Sequence, residues 1–136
     1  MHMNEIPNTN GTVVGAVKVW LRAEGLAVFM ASVVLYRNTG KLWGLFFILF
    51  LMPDLFMAGY LINPRIGAAS YNLVHTYLWP VALGAACIFF GRFAPLPYIL
   101  IWTAHIGIDR CLGYGLKYDS AFGHTHLGLL GKAPQN

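Results

Sequence analysis

Apolar runs and polar breaks alternate along the chain at a spacing that predicts four membrane-spanning helices. The first covers about 18–36 and ends at Arg37-Asn38-Thr39-Gly40-Lys41. The second covers about 42–62, contains Phe46-Phe47-Ile48-Leu49-Phe50-Leu51 followed by Pro53-Asp54, and ends at Asn63-Pro64-Arg65. The third covers about 66–90 with Pro80 midway, and the fourth runs from Pro97 to about 114. A spanning helix needs about 20 largely apolar residues, because the hydrocarbon core is about 30 Å thick and each residue rises about 1.5 Å. Only backbone groups satisfied within a segment are tolerated there, which makes the spans helices. Short turns between consecutive spans favour an all-α, antiparallel four-transmembrane-helix bundle over 18–114. Residues 1–17 read as a polar N-terminal segment and 115–136 as a cytoplasmic tail. Met1-His2-Met3 reads as a cloning remnant, so His2 carries no functional weight. The N-terminal stretch lacks the basic-then-apolar order of a cleavable signal.

Composition sharpens this picture. Of 136 residues, 57% are hydrophobic and only 10% charged, against roughly 25% charged in soluble domains. Mean hydropathy is +0.58. After four spans no length remains for a soluble catalytic domain. The net charge of +4 comes from basic residues at span ends, where they anchor headgroups and set topology. No basic stripe interleaved with aromatics points to nucleic acid. Lys18, Arg22, Arg65, Arg110, Lys117 and Lys132 fall on one side, and Arg37, Lys41 and Arg92 on the other. That bias predicts both termini in the cytoplasm of a bacterial inner membrane. Cys87 and Cys111 stand alone on different spans, which excludes a Cys-x-x-Cys site and a disulfide framework.

Five ionisable residues interrupt the apolar spans: Glu24, Asp54, His75, His105 and Asp109. Each is costly in lipid, by at least ~2.5–3.5 kcal/mol for a central Asp. Counted from the cytoplasmic ends at about 1.5 Å per residue, they lie roughly 6–14 Å deep. All four spans are therefore expected to deliver an ionisable group to the cytoplasmic half. His105 and Asp109 share a helix face at i,i+4, as do Asn72 and His75 at i,i+3. Pro53 should disturb the helix before Asp54 and free a carbonyl near Leu49. Carboxylates and imidazoles together suit a non-haem transition metal such as Zn or Fe. The expected metal ligands are Asp54, His75, His105 and Asp109, with Tyr71, Asn72 and Arg110 behind them. Glu24 and Asp54 are candidates for a general base, and His124 and His126 in the tail for capping the site or shuttling protons. The bland alternative makes the same groups buried ion pairs and hydrogen bonds that fix helix packing. The Trp and Tyr residues, Trp102 among them, read as interfacial anchors or packing. Gly67-Ala68-Ala69-Ser70 and Gly84-Ala85-Ala86 read as close helix contacts.

Several segments carry a resemblance. Pro53-Asp54 through Tyr60, Tyr71-Asn72-Leu73-Val74-His75-Thr76-Tyr77, Ala104-His105-Ile106-Gly107-Ile108-Asp109-Arg110, Gly113 through Tyr118, and Thr125-His126-Leu127 are together similar to a family of small bacterial four-helix integral membrane proteins of unknown function. The resemblance covers about 21–128. It implies a membrane helical bundle and no activity.

The residues themselves point first to an intramembrane metal-dependent enzyme, a hydrolase or a non-haem oxidoreductase, acting on a lipid or amphiphile near the cytoplasmic leaflet. A proton- or ion-coupled transporter working as a homo-oligomer, a haem protein ligated through His75 and His105, and an accessory subunit are the alternatives.

Overall fold

A computed structural model describes residues 11–119 and 123–129. Five α-helices account for most of it: α1 (Gly15–Asn38), α2 (Trp43–Phe50), α3 (Pro64–His75), α4 (Leu78–Phe89) and α5 (Leu96–Leu112). A 3-10 helix, Met52–Leu61, lies between α2 and α3. A small antiparallel hairpin, β1 (His124–Thr125) and β2 (Gly128–Leu129), closes the described chain. Three stretches are long and apolar enough to cross a membrane: Gly15–Asn38, Trp43–Leu61 and Pro64–Phe89. Their outer faces carry exposed Val19, Phe47, Ile48, Leu61, Ile88 and Phe89. This is an integral membrane protein. The expected fourth span corresponds to α5, of 17 residues.

Two expected spans are each broken, and proline is the reason in both. In the second, Pro53 has no N–H to continue the ladder. Asp54 N–H bonds the Leu51 carbonyl at 3.2 Å, and the chain tightens into ten residues of 3-10 helix. Runs beyond three or four residues are uncommon, and such a stretch often marks a functional position. In the third, expected as one continuous helix, the Pro80 ring excludes helical geometry at the carbonyl four residues back, on Thr76. Thr76 is extended (ψ 143°), so α3 stops at His75 and α4 starts at Leu78. Elsewhere the boundaries follow the local chemistry. Asn63 Oδ1 accepts from Ile66 N–H at 2.8 Å, ahead of Pro64 in the first turn of α3. Gly113 (φ 93°) ends α5 in the left-handed region.

Helix α5 is the axis of the molecule, with Ile101, Ala104, His105, Ile106, Gly107 and Arg110 buried. Its most extensive partner is α1. The two cross at Gly25 and Gly107; a Cβ on Gly25 would stand 2.7 Å from the Gly107 carbonyl oxygen, and one on Gly107 2.7 Å from Phe29 N. Small residues allow this backbone approach, the usual device for helix association in lipid. Between α1, α2 and α5 lies a core of Tyr36, Phe46, Ile101 and Ala104. At the other end the tail folds back onto the helices rather than trailing away. Leu127 and Thr125 are fully buried, and Asn72 holds Lys117 at both backbone atoms, accepting from its N–H and donating to its carbonyl at 2.7 Å each.

Candidate metal centre

Three elements bring four ionisable side chains to one point. Asp54 comes from the 3-10 helix, His75 from the last residue of α3, and His105 and Asp109 from successive turns of α5. One ligand atom from each lies within 4.8 Å of all the others, and among the described residues no other group of His, Cys, Asp or Glu converges this way. His75 Nε2 and His105 Nε2 are 3.1 Å apart. Asp54 Oδ1 is 3.4 Å from His75 Nε2 and 3.3 Å from His105 Nε2. Asp109 Oδ2 is 3.5 and 3.3 Å from the same two atoms. Both imidazoles are buried, Asp109 is 15% exposed and Asp54 38%, so the cluster opens on the Asp54 side.

The backbone breaks build this arrangement. His75 Nδ1 lies 2.9 Å from the Tyr71 carbonyl, which as an acceptor assigns the proton to Nδ1 and leaves the Nε2 lone pair facing the cluster. The Tyr71 ring stacks on His75 at 3.7 Å. Where α3 stops, its last carbonyls are met by α5: Arg110 Nη2 donates to the His75 oxygen at 2.6 Å and Trp102 Nε1 to the Val74 oxygen at 2.6 Å. His105 Nδ1 is buried and has no hydrogen-bond partner.

The donor set fits a metal ion. Four donors about 2.0–2.1 Å from a zinc ion at tetrahedral corners stand about 3.3–3.4 Å apart. The five separations above fall between 3.1 and 3.5 Å. His75, whose far nitrogen meets the Tyr71 carbonyl, has the outer partner usual for a metal-bound imidazole. Two carboxylates match the charge of a divalent ion.

Five groups were expected to meet; four do. Glu24 is exposed on α1 and lines a separate cavity of about 370 Å³ with Tyr77, Arg110 and His126. Helix α1 packs through its glycine, not its carboxylate, which is why depth alone misplaced Glu24. Asn72 anchors the tail instead of bonding His75. His126 is fixed in the tail, its Nδ1 accepting from Leu116 N–H at 2.8 Å; burial, then Arg110, pushes its pKa below the ordinary value. His124 lies in β1 against Tyr118. Neither tail histidine reaches the cluster. Lys117 is the residue that sequence reasoning passed over. It is buried, its Nζ 4.5 Å from the Tyr71 ring centroid and 5.2 Å from that of Tyr60. Burial lowers its pKa to about 8 against the opposing pull of Asp109 and Asp54. The signal was Lys117 facing Tyr60 and Tyr71, a pairing invisible until the tail folds back.

The chain belongs to the DUF4260 family, a domain of unknown function, which matches it over residues 18–130. No curated protein and no solved structure matches it.

Proposed function

We propose that the protein is an intramembrane, divalent-metal-dependent enzyme that acts on a lipid or other amphiphile near the cytoplasmic leaflet, with hydrolysis of an ester, amide or phosphate bond as its reaction. In this reading α5 is a fourth span, the helices alternate up and down, and both termini face the cytoplasm of a bacterial inner membrane. The observation that carries the reading is the convergence of Asp54, His75, His105 and Asp109, with a donor atom of each within 4.8 Å of all the others and each imidazole Nε2 3.1–3.5 Å from the other imidazole and from both carboxylates. Pairwise hydrogen bonding needs no common centre; ligation does.

His75, His105 and Asp109 would hold the ion, being the less exposed members of the set. The ion would supply Lewis acidity and a nucleophile usable at neutral pH. Asp54 has another task available. It is the most exposed carboxylate and sits on the 3-10 helix, so it can leave the ion and take a proton as general base. Arg110 and Tyr71 keep His75 oriented through its carbonyl, its Nδ1 and its ring face.

A second reading has its own support. His75, His105 and Asp109 form a two-histidine, one-carboxylate set, the ligand type of non-haem iron oxygenases. Neighbouring donors around a six-coordinate ion at about 2.1 Å would stand about 3.0 Å apart, shorter than all five separations, whereas tetrahedral zinc suits them better. Elemental analysis of detergent-purified protein tests the proposal. Close to one transition-metal ion per chain is expected, with zinc favoured, and loss of the ion in His75→Ala and His105→Ala. Folded, metal-free protein after zinc loading would refute it.

A further inference from the structure

Glu24 takes no part in the metal centre and lines a cavity of about 370 Å³ instead. Tyr77 joins it from the break between α3 and α4, Arg110 from α5 and His126 from the tail, while Leu21 and Leu127 add apolar wall. Two opposite charges share this cavity without meeting. The ion pairs among the described residues are those of the cluster, and neither Glu24 nor Arg110 forms one. Asp109, next to Arg110 in the chain, faces the two histidines. Arg110 is buried, and the groups it bonds, the His75 and Tyr114 carbonyls, carry no net charge. Glu24 is exposed on a spanning helix, where a carboxylate is costly unless something pairs with it.

Hydrogen-bond donors gather at the same cavity. The Tyr77 hydroxyl is buried and has no hydrogen-bond partner, an omission that native proteins seldom leave without a reason. His126 Nδ1 accepts from Leu116 N–H, so the neutral ring keeps its proton on Nε2 and presents a donor there. Arg110 has N–H groups left beyond those that hold the two carbonyls. A guanidinium, a phenol and an imidazole N–H suit the oxygens of a phosphate, and a carboxylate suits an ammonium. We propose that the cavity binds an aminoalkyl phosphate, the zwitterionic group that heads an ethanolamine phospholipid. Its phosphate lies toward Arg110, Tyr77 and His126, and its ammonium toward Glu24. Leu21 and Leu127 accommodate the apolar part next to such a head. The site is distinct from the metal centre, and the inference goes beyond the enzymatic reading without depending on it.

The test is native mass spectrometry of the intact protein in detergent, mixed with equal amounts of phosphatidylethanolamine, phosphatidylglycerol and phosphatidylcholine of one chain length. Retention of the ethanolamine lipid at least fivefold above the other two is expected. Tyr77→Phe should cut that retention at least fivefold, yet leave the melting temperature of the lipid-free protein equal or higher, because it removes an unsatisfied donor. Glu24→Gln should erase the preference for ethanolamine over glycerol. Release of the bound lipid by free phosphoethanolamine would assign recognition to the head alone, and release only by added lipid would assign it to head and chain together; both support the site. Equal retention of the three lipids would mean ordinary boundary lipid and overturn the proposal, as would unchanged retention in both variants. A lower melting temperature of lipid-free Tyr77→Phe would give the hydroxyl a structural role and remove it from the site. Zinc measured on the same samples should match the unaltered protein, and a lipid effect seen only where zinc is lost would move the ligand to the metal centre and overturn the inference.

Discussion

Arg110 on α5 donates to the carbonyl of His75 at 2.6 Å, so the residue that ends α3 is held from behind by the helix that supplies the other histidine. The same guanidinium donates to the Tyr114 carbonyl at 2.6 Å. One side chain thus ties a broken span, the ligand helix and the start of the tail together. Replacing it by alanine leaves the buried His75 carbonyl unsatisfied, at a cost of about 1–3 kcal/mol. Arg110→Ala should lower the melting temperature in detergent. It should also weaken metal binding, by roughly 10–100-fold as for other outer-layer partners. Unchanged metal affinity would remove Arg110 from the site.

A milder cut tests the second carbonyl. Trp102 Nε1 donates to the Val74 oxygen at 2.6 Å, and Trp102→Phe keeps a ring while deleting the donor. A loss of about 1 kcal/mol is expected in reversible unfolding, from the missing hydrogen bond. Equal stability of the two proteins would show that Trp102 is held by packing alone.

The crossing of α1 and α5 admits no methyl group. At Gly25 and at Gly107 an added Cβ would meet backbone atoms of the opposite helix at 2.7 Å, and backbone cannot swing aside as a side-chain tip can. Gly107→Ala should destabilise the protein by about 1–3 kcal/mol, the usual cost of overpacking. Gly44 has open space around it, so Gly44→Ala is the control and should be neutral or stabilising. Equal effects of the two substitutions in thermal unfolding would contradict the close approach.

Docking of the tail should depend on pH in a defined direction. Lys117 is lowered from 10.5 to about 8, and His126 is lowered from 6.5, both chiefly by burial. In each case the undocked chain binds the proton more readily, so docking strengthens with pH across the interval between the docked and free values. For Lys117 that interval is about 8 to 10.5. For His126 it lies below 6.5, so docking weakens as the pH falls through that value. Protease cleavage within 113–129, corrected for the enzyme's own pH profile, should slow from pH 8 to 10.5 and quicken below 6.5. Lys117→Met should flatten the upper limb only. The opposite slope would contradict the buried placement of both groups.

Much of this molecule was legible before any coordinates. Apolar run length placed the spans, and the i,i+4 spacing put His105 and Asp109 on one face. The cost of ionisable groups in lipid singled out the four residues that converge, with Glu24 as a fifth. Depth counted along a helix is not the same as direction around it, however, and Glu24 is exposed beside Gly25, the residue through which α1 meets α5. The break at Thr76 was less visible because Pro80 acts on a carbonyl four residues earlier. Trp102 reads as an interfacial anchor until the break supplies a free carbonyl for its indole. Lys117 escaped notice for a similar reason: its place is set by two hydrogen bonds to Asn72, 45 residues away, and no local pattern encodes such a contact.

The central claim is that one ion sits among Asp54, His75, His105 and Asp109. X-ray absorption at the edge of the metal bound to detergent-purified protein addresses it most directly. The account predicts a shell of nitrogen and oxygen donors at about 2.0–2.1 Å, with the outer-shell scattering of two imidazoles, reduced to one imidazole or lost in His105→Ala. A sulfur shell, a spectrum without imidazole, or a signal unchanged by His105→Ala would contradict it.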